Sequence, residues 1–216
     1  MYFSRVMLDT GRRSTITALA SLNKLHGAVE QAFPGQRQHK IWRIDSLGKK
    51  TYLLVLSQSE PELSSLSKQF GPENGAEAWE IKDYDPFLRC ITLCSRWHFR
   101  LVANPTSSLM HTDEGERKRG KVTGHVTVEH QEKWLLDRAE KHGFLLNNDD
   151  FRVVKNGWLH FRKGDNKQFV TLMSATYDGV LTVCDVELFR ETLINGLGRG
   201  KAYGQGMLTI AKLTVW

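Results

Sequence analysis

Residues 196–206 read GLGRGKAYGQG, with five glycines in eleven positions and Arg199, Lys201 and Tyr203 set among them. This stretch limits the fold more than any other. Glycine permits positive φ and close backbone approach, so the segment can wrap an anion with its own N–H groups, and its cations add charge. Gly198, Arg199, Gly200 and Lys201 are therefore candidate phosphate-binding residues. Two familiar phosphate loops are excluded. The pattern G-x-x-x-x-G-K-[ST] fails, because Asn195 stands at its first glycine and Ala202 at its hydroxyl position. The dinucleotide fingerprint fails because Lys201 or Tyr203 would occupy its third glycine. The context is reversed as well. A helix-like run (Val186, Phe189, Leu193, Leu197) precedes the loop and a strand-like run (Met207 to Val215) follows it, whereas both nucleotide motifs leave a strand and open a helix.

The apolar pattern upstream gives two rounds of one motif. Tyr2 to Leu8 is rich in β-formers and reads as a buried strand. Ser14 or Thr15 can cap a helix whose apolar positions, from Ile16 through Leu19, Leu22, Leu25 and Val29 to Phe33, recur every three or four residues. Pro34-Gly35 ends it. Ile41 to Ile44 and Tyr52 to Leu56 form a hairpin about Ser46-Leu47-Gly48, Glu60 to Phe70 reads as a short helix, and Trp79 to Lys82 as a strand. The order is β-α-β-β-α-β, the ferredoxin-like unit. Asp83-Tyr84-Asp85-Pro86 then reads as a linker.

The second round is longer. Ile91 to Ala103 is strand-like and ends at Asn104-Pro105; Thr106 to Gly124 has little periodicity. Glu129 to His142 is a helix stopped by Gly143. Phe151 to Phe161 and Phe169 to Tyr177 form a hairpin tipped by RKGDNK, Val180 to Cys184 extends the sheet, and Asp185 caps the helix before the glycine loop. Met207 to Trp216 closes it. The expected fold class is α+β: two tandem ferredoxin-like (βαββαβ) domains, residues 1–87 and 91–216. Basic loops from both would line a positive cleft.

Charge points to the kind of partner. A net charge of +6 and a pI near 9.3 suit an anionic ligand such as nucleic acid. The three cysteines are odd in number and contain no C-x-x-C, so neither a disulfide framework nor a zinc knuckle is indicated. Cys90, Cys94 and His98 would share one face of a strand, yet its ends would lie about 26 Å apart, too far for one metal. No metal or other cofactor is expected. The first residues, MYFSRVMLDTGRR, lack the order of a signal peptide, and no apolar run approaches a membrane span. A soluble, cytoplasmic protein with no membrane partner is expected.

The first helix carries two further signals. Arg12 and Arg13 abut its N-terminus, where the macrodipole disfavours cations unless an anion is held there. His26 lies beside the apolar stripe, with Asn23 three residues before it and Glu30 four after, both within side-chain reach. It reads as a boundary histidine paired with Glu30 or as a proton-transfer group. Two basic projections complete the inventory. ERKRGK carries Arg117, Lys118, Arg119 and Lys121, partly balanced by Asp113, Glu114 and Glu116; it is either solvated or phosphate-binding. The hairpin tip carries Arg162, Lys163 and Lys167.

Taken together, MYFSRVML, LNKLHGAVEQAFP, FRLVANPTSSLMHTDEGERKRGK, KWLLDRAEKHGF and YDGVLTVCDVELFRETLINGLGRGKAYGQGMLTIA resemble the CasE family, the CRISPR precursor-RNA-processing endoribonucleases of type I-E systems. The resemblance runs nearly the whole chain in order; the ANP segment and the C-terminal block are its specific parts. It implies tandem ferredoxin-like folds and metal-independent cleavage of repeat RNA at the base of its stem-loop. It also implies retention of the product with the other Cascade subunits, and a catalytic role for His26. One departure matters: the family motif has Tyr three residues before the His, and here that residue is Asn23. An amide can hydrogen-bond the scissile phosphate but cannot donate a phenolic proton.

RNA carries its own nucleophile. Attack of the 2′-OH on the adjacent phosphate yields a 2′,3′-cyclic phosphate and a free 5′-OH, so the protein must align, move protons and stabilise charge. Histidine suits the proton transfer near neutrality. Arg12 or Arg13 would hold the scissile phosphate, Arg199 and Lys201 the stem-proximal phosphates, and the two basic projections the stem. Two other readings stay open. One is a non-cleaving RNA-binding subunit of the same fold; the other is a ferredoxin-like module with an anionic small-molecule ligand.

Overall fold

The computed structural model describes residues 1–35, 38–73, 78–108, 111–113, 116–118, 122–162 and 169–213, with backbone alone for 111–113 and 116–118. In the first half, β1 (Tyr2–Leu8), β2 (Lys40–Leu47), β3 (Lys50–Ser57) and β4 (Trp79–Asp83) form an antiparallel sheet in the order β2-β3-β1-β4. One of its faces is covered by α1 (Arg13–Ala20), α2 (Leu22–Gln31) and α3 (Ser64–Phe70). A helical turn, α4 (Asp85–Arg89), leads to the second half. Its central strand, β5 (Arg96–Ala103), lies between β12 (Phe169–Val183) and β13 (Leu208–Lys212). The far side of β12 pairs first with β10 (Phe144–Leu145) and then with β11 (Phe151–Arg162), one edge strand in two pieces. α5 (Val128–Ala139) and α6 (Val186–Asn195) supply the crossovers. Each half therefore orders its strands fourth-first-third-second, and the fold is two tandem ferredoxin-like units of the α+β class.

The apolar pattern explains how the halves join. Alternate residues of β3 face opposite sides: Leu53 and Val55 pack under the helices, while Leu54 and Leu56 join Leu101, Ala103 and Leu208 of the second half. The continuous run LLVL is a strand buried on both faces. On β2, Arg43 points to the same junction. It donates through Nη1 to the carbonyls of Arg100 (2.9 Å) and Met207 (2.9 Å), and through Nη2 to Asp45 (2.6 Å) and Thr209 (2.8 Å). Arg100 continues the network to Asp45 (2.9 Å) and, through two bonds of 2.6 Å, to Asp178.

Five expectations change. The first helix is two: Ser21, at φ −136° and with no side-chain capping bond, separates α1 from α2, at a residue of lower helix propensity than its neighbours Ala20 and Leu22. Neither Ser14 nor Thr15 caps it. The cap position is Arg12, and three side chains there turn to the last carbonyls of α3 instead: Arg12 to Lys68 (3.0 Å) and Gly71 (2.7 Å), Ser14 to Gln69, and Thr15 to Phe70. A guanidinium at a helix C-terminus is dipole-favoured, which accounts for a cation that looked misplaced. The expected linker at 83–86 is packed, with Tyr84 buried and stacked between Phe3 and Phe87. The central strand starts at Arg96, not Ile91, so Cys90 and Cys94 precede it, both exposed. Finally, Phe169 to Val183 is one fifteen-residue strand in which Gly179 sits under Asp150 and Phe151. The irregular stretch after Pro105 contains two short ladders, β6 (Thr106–Ser108) with β9 (Val122–Gly124) and β7 (His111–Asp113) with β8 (Glu116–Lys118).

Candidate active site

The glycine-rich segment is a folded bridge between the halves. α6 ends at Gly196, whose N–H reaches Thr192 O (2.8 Å); Leu197 N–H then donates to Gly206 O (2.7 Å) and Gly206 N–H to Val102 O (2.6 Å). Lys201–Tyr203 forms a 3-10 turn, and the Tyr203 ring meets Phe161 edge-on at 4.9 Å. Glycine is required at two positions in particular. Gly206 has φ +90°, and a Cβ would lie 2.6 Å from Leu197 O; at Gly198, φ +84°, it would lie 3.2 Å from the Trp134 ring. Gly206→Ala should therefore lower stability by about 1–3 kcal/mol, the scale of a strained backbone position. Thermal denaturation checks this; an unchanged melting temperature means the loop relaxes without cost.

That turn brings Lys201 to α2. Lys201, His26, Glu30, His39, Lys40 and Trp42 line one cavity of about 440 Å³. The His26 side chain is about one-third exposed. Its Nδ1 is buried with no hydrogen-bond partner, 3.8 Å from Glu30 Oε1, which leaves Nε2 as the nitrogen a reacting group can reach. Glu30 is held by the buried Lys40, Nζ to Oε2 2.7 Å, and Lys40 also lies over the Phe33 ring. Lys201 has no carboxylate within ion-pair distance among the described residues. Burial pushes its amine below the usual lysine range. The cavity thus offers His26 Nε2 and one unneutralised cation to an anionic group, beside His39, whose Nε2 lies 3.2 Å from Ile194 O.

The remaining candidates are distributed around it. Asn23 lies one turn before His26 on α2 and is not part of the cavity lining. Arg13 faces a separate hollow with Ser14, Lys24 and Gln31, and the Arg12 Nη1 group is bonded to two carbonyls. Gly198 and Arg199 line a different cavity, with residues of α5 and β6. Arg162 ends β11, its guanidinium 5.3 Å from the Phe169 ring centre. Arg117 and Lys118 fall on β8, of which only the backbone is described; Arg119, Lys121, Lys163 and Lys167 lie outside the described residues. So the structure joins His26 to Lys201, and joins neither to Arg12, Arg13 or Arg199. His39 and Lys40 escaped the sequence reading. The signal was a basic pair abutting a strand, which is common and carries no spacing rule. Among the described residues no three His, Cys, Asp or Glu side chains come together as metal ligands, and no helix is long and apolar enough to cross a membrane.

Comparison with known proteins bears on this geometry. A family model described as CRISPR associated protein matches residues 1–212. The CRISPR-associated endoribonuclease Cse3 of Thermus thermophilus is 27% identical over 225 residues, spanning 98% of this chain and 100% of its own. A structure of Thermus thermophilus Cse3 bound to an RNA representing a pre-cleavage complex superposes with a TM-score of 0.80 at 25% identity, covering 98% of each chain. A chain of a CRISPR RNA-guided surveillance complex, pre-nicking, shares the fold, with a TM-score of 0.65 at 23% identity over 99% of this chain and 100% of that one.

Proposed function

The chain belongs to the CRISPR associated protein family, and from that premise we propose that it is an endoribonuclease that binds the stem-loop of a CRISPR repeat and cuts precursor CRISPR RNA at the base of the stem. The observation that carries this reading is the meeting of His26 and Lys201 in one cavity, a helix of the first half supplying one and the glycine bridge of the second supplying the other. The nucleophile is the RNA's own 2′-OH. In-line attack needs a proton moved off that oxygen or onto the leaving 5′ oxygen, and His26 Nε2 is the group that does one or the other. Negative charge builds on the phosphorane, and Lys201 offsets it as a partly buried cation. A lysine also carries a proton to give, which compensates for the phenol missing at Asn23.

Positioning falls to the surrounding cations. Arg12 Nη1 is bonded to two carbonyls and Arg13 faces a hollow apart from His26 and Lys201, so we assign the scissile phosphate to Lys201, give Arg13 a phosphate farther along the strand, and give Asn23 a hydrogen bond to the RNA one turn before His26. Gly198, Arg199 and Gly200 take stem-proximal phosphates. Arg117, Lys118, Arg119 and Lys121, with Arg162, Lys163 and Lys167, clamp the stem by shape and charge. Residues 1–87 and 91–216 act as the two domains. After cleavage the protein keeps the guide RNA within Cascade, in the cytoplasm. The relative named as an endoribonuclease, its RNA complex and the shared fold of the surveillance-complex chain support the RNA-processing reading; the residue roles rest on charge and on the cavity geometry.

Incubating the protein with a hairpin matching its host's own repeat, in EDTA, tests the reading. Cleavage should proceed and leave a 2′,3′-cyclic phosphate; a strict need for added Mg²⁺ or Mn²⁺, or a 3′-hydroxyl product, would sink the mechanism. Asn23 at the family's tyrosine position favours a second reading, a non-cleaving RNA-binding subunit. Hairpin binding without product in the same incubation identifies it.

A further inference from the structure

A second cavity, about 720 Å³ against about 440 Å³ at His26, is lined by Gly198 and Arg199 of the glycine bridge rather than by Lys201. His125 and His130 stack in its wall, ring centres 5.8 Å apart and planes 21° apart. The pair is built. His130 Nδ1 lies 2.7 Å from Thr127 Oγ1, and the fully buried Gln131 donates to the carbonyls of His125 and Val126. Arg138, its guanidinium 4.5 Å from the Trp134 ring centre, is held by Trp134 O. Arg199 enters from the glycine bridge, anchored by a backbone bridge to Asn104.

The charge balance favours an anion. Lys133 and Asp137 also line the cavity, but they pair at 3.2 Å and cancel. Arg138 and Arg199 therefore leave it cationic before either imidazole takes a proton. Burial, then His130, then Arg138 hold the His125 imidazole below its usual range, so the cavity carries like charges that a bound anion would relieve. Its volume lies within the range of about 300–1,000 Å³ usual for small-ligand sites. A duplex presents a convex backbone that proteins read by shape. A concave hollow with a flat ring pair suits an unstacked nucleotide instead.

We propose that this cavity binds the single-stranded nucleotide next to the base of the repeat stem-loop, its phosphate, the stem-proximal one given to Arg199 above, shared with Arg138, and its base set against the His125–His130 pair. The proposal rests on the RNA reading above and adds a site that the cleavage chemistry does not use. The site is sensitive to pH. A bound phosphate favours the protonated His125 ring against the burial and like charges that disfavour it, so affinity for the flank increases as pH falls through the imidazole range. The charged and titratable groups that line the cavity with His125 are His130, Lys133, Asp137 and Arg138 from α5 and Arg199 from the bridge.

The test is fluorescence anisotropy with stem-loops blocked by a 2′-deoxy residue at the cut. A bare stem-loop is compared with ones extended by five nucleotides on the 5′ or the 3′ side. One extension should tighten binding by roughly tenfold, the scale of a stacked base, and the gain should grow from pH 7.5 to pH 5.5. The double variant His125→Ala/His130→Ala, and His130→Gln alone as a milder change, should lose that gain while circular dichroism reports native folding. Equal affinity for all three RNAs, or a gain retained in both folded variants, overturns this site alone. A parent protein that binds no stem-loop overturns the RNA reading from which the site was inferred.

Discussion

Single-turnover cleavage of a repeat hairpin by the His26→Ala protein is expected to be slower by roughly 10²- to 10⁴-fold, the usual span for a lost general acid or base. Hairpin affinity should stay close to the parent's, because His26 is one group among many cations and its Nδ1 side is buried. The fold should survive as well. The ring is about one-third exposed and forms no hydrogen bond among the described residues, so its removal breaks no network. A 2′-deoxy residue 5′ to the scissile phosphate should block the parent enzyme outright, since it removes the nucleophile. The two results belong together. A deoxy substrate that is still cut makes water the nucleophile, whatever His26 does. A His26→Ala protein that cuts at the parent rate makes α2 a scaffold and sends the search to Lys201 and His39, the other titratable groups in the cavity with no carboxylate attached.

Local rules carried the architecture a long way. Strand and helix periodicity, turn residues and capping signals yielded both βαββαβ rounds, and the reversed context of the glycine segment excluded the nucleotide loops. Where expectation and structure part, a contact distant in sequence decided the outcome. Ser14 and Thr15 carry the mark of a helix start and Arg12 sits against it as a misplaced cation, yet all three side chains serve the end of α3, more than fifty residues away. Nothing in a local window reports that. Ser21 is different. It is a poor mid-helix residue inside an otherwise unbroken apolar stripe, and a stripe continues through a break that leaves the helical phase intact. The site was legible in kind but not in grouping. His26 and the glycine-segment cations were each identifiable by chemistry, but their pairing depends on Gly206 docking on Val102 and on the Lys201–Tyr203 turn meeting α2. Those are products of the packed halves, so Lys201 joined His26 while Arg199, two residues away, faces a different cavity.

The Arg43 network is the polar fastening between the halves beside their apolar junction, and breaking it should be the costliest single substitution short of the central core. Arg43→Ala removes a side chain only 2% exposed, and with it the donors to Arg100 O, Met207 O, Asp45 and Thr209. The Met207 carbonyl then loses its side-chain donor and the Arg100 carbonyl keeps only the long side-chain bond from Thr209 Oγ1 (3.4 Å), beside a cavity the size of the guanidinium. Disrupting a buried charge network of this kind costs about 3–5 kcal/mol. For a chain of this size that lowers the melting temperature by roughly 2–4 °C per kcal/mol. Asp45→Asn attacks the same junction from the other side. Burial pushes the Arg43 guanidinium below its usual range and Asp45 opposes that push; without the carboxylate, Arg43 and Arg100 face each other with only Asp178 to balance them. Arg43→Lys should fall between parent and Ala, since an ammonium keeps the charge but cannot span four acceptors in one plane. Met207 follows Gly206 directly, so each of these variants also loosens the root of the glycine bridge. Their cleavage rates at temperatures well below melting should fall further than their RNA affinities, because alignment of Lys201 with His26 is lost before charge is. Differential scanning calorimetry and single-turnover kinetics on the three variants supply both readings. A melting temperature within a few degrees of the parent for Arg43→Ala would mean that the apolar contacts of Leu54, Leu56 and Leu101 hold the halves together without help.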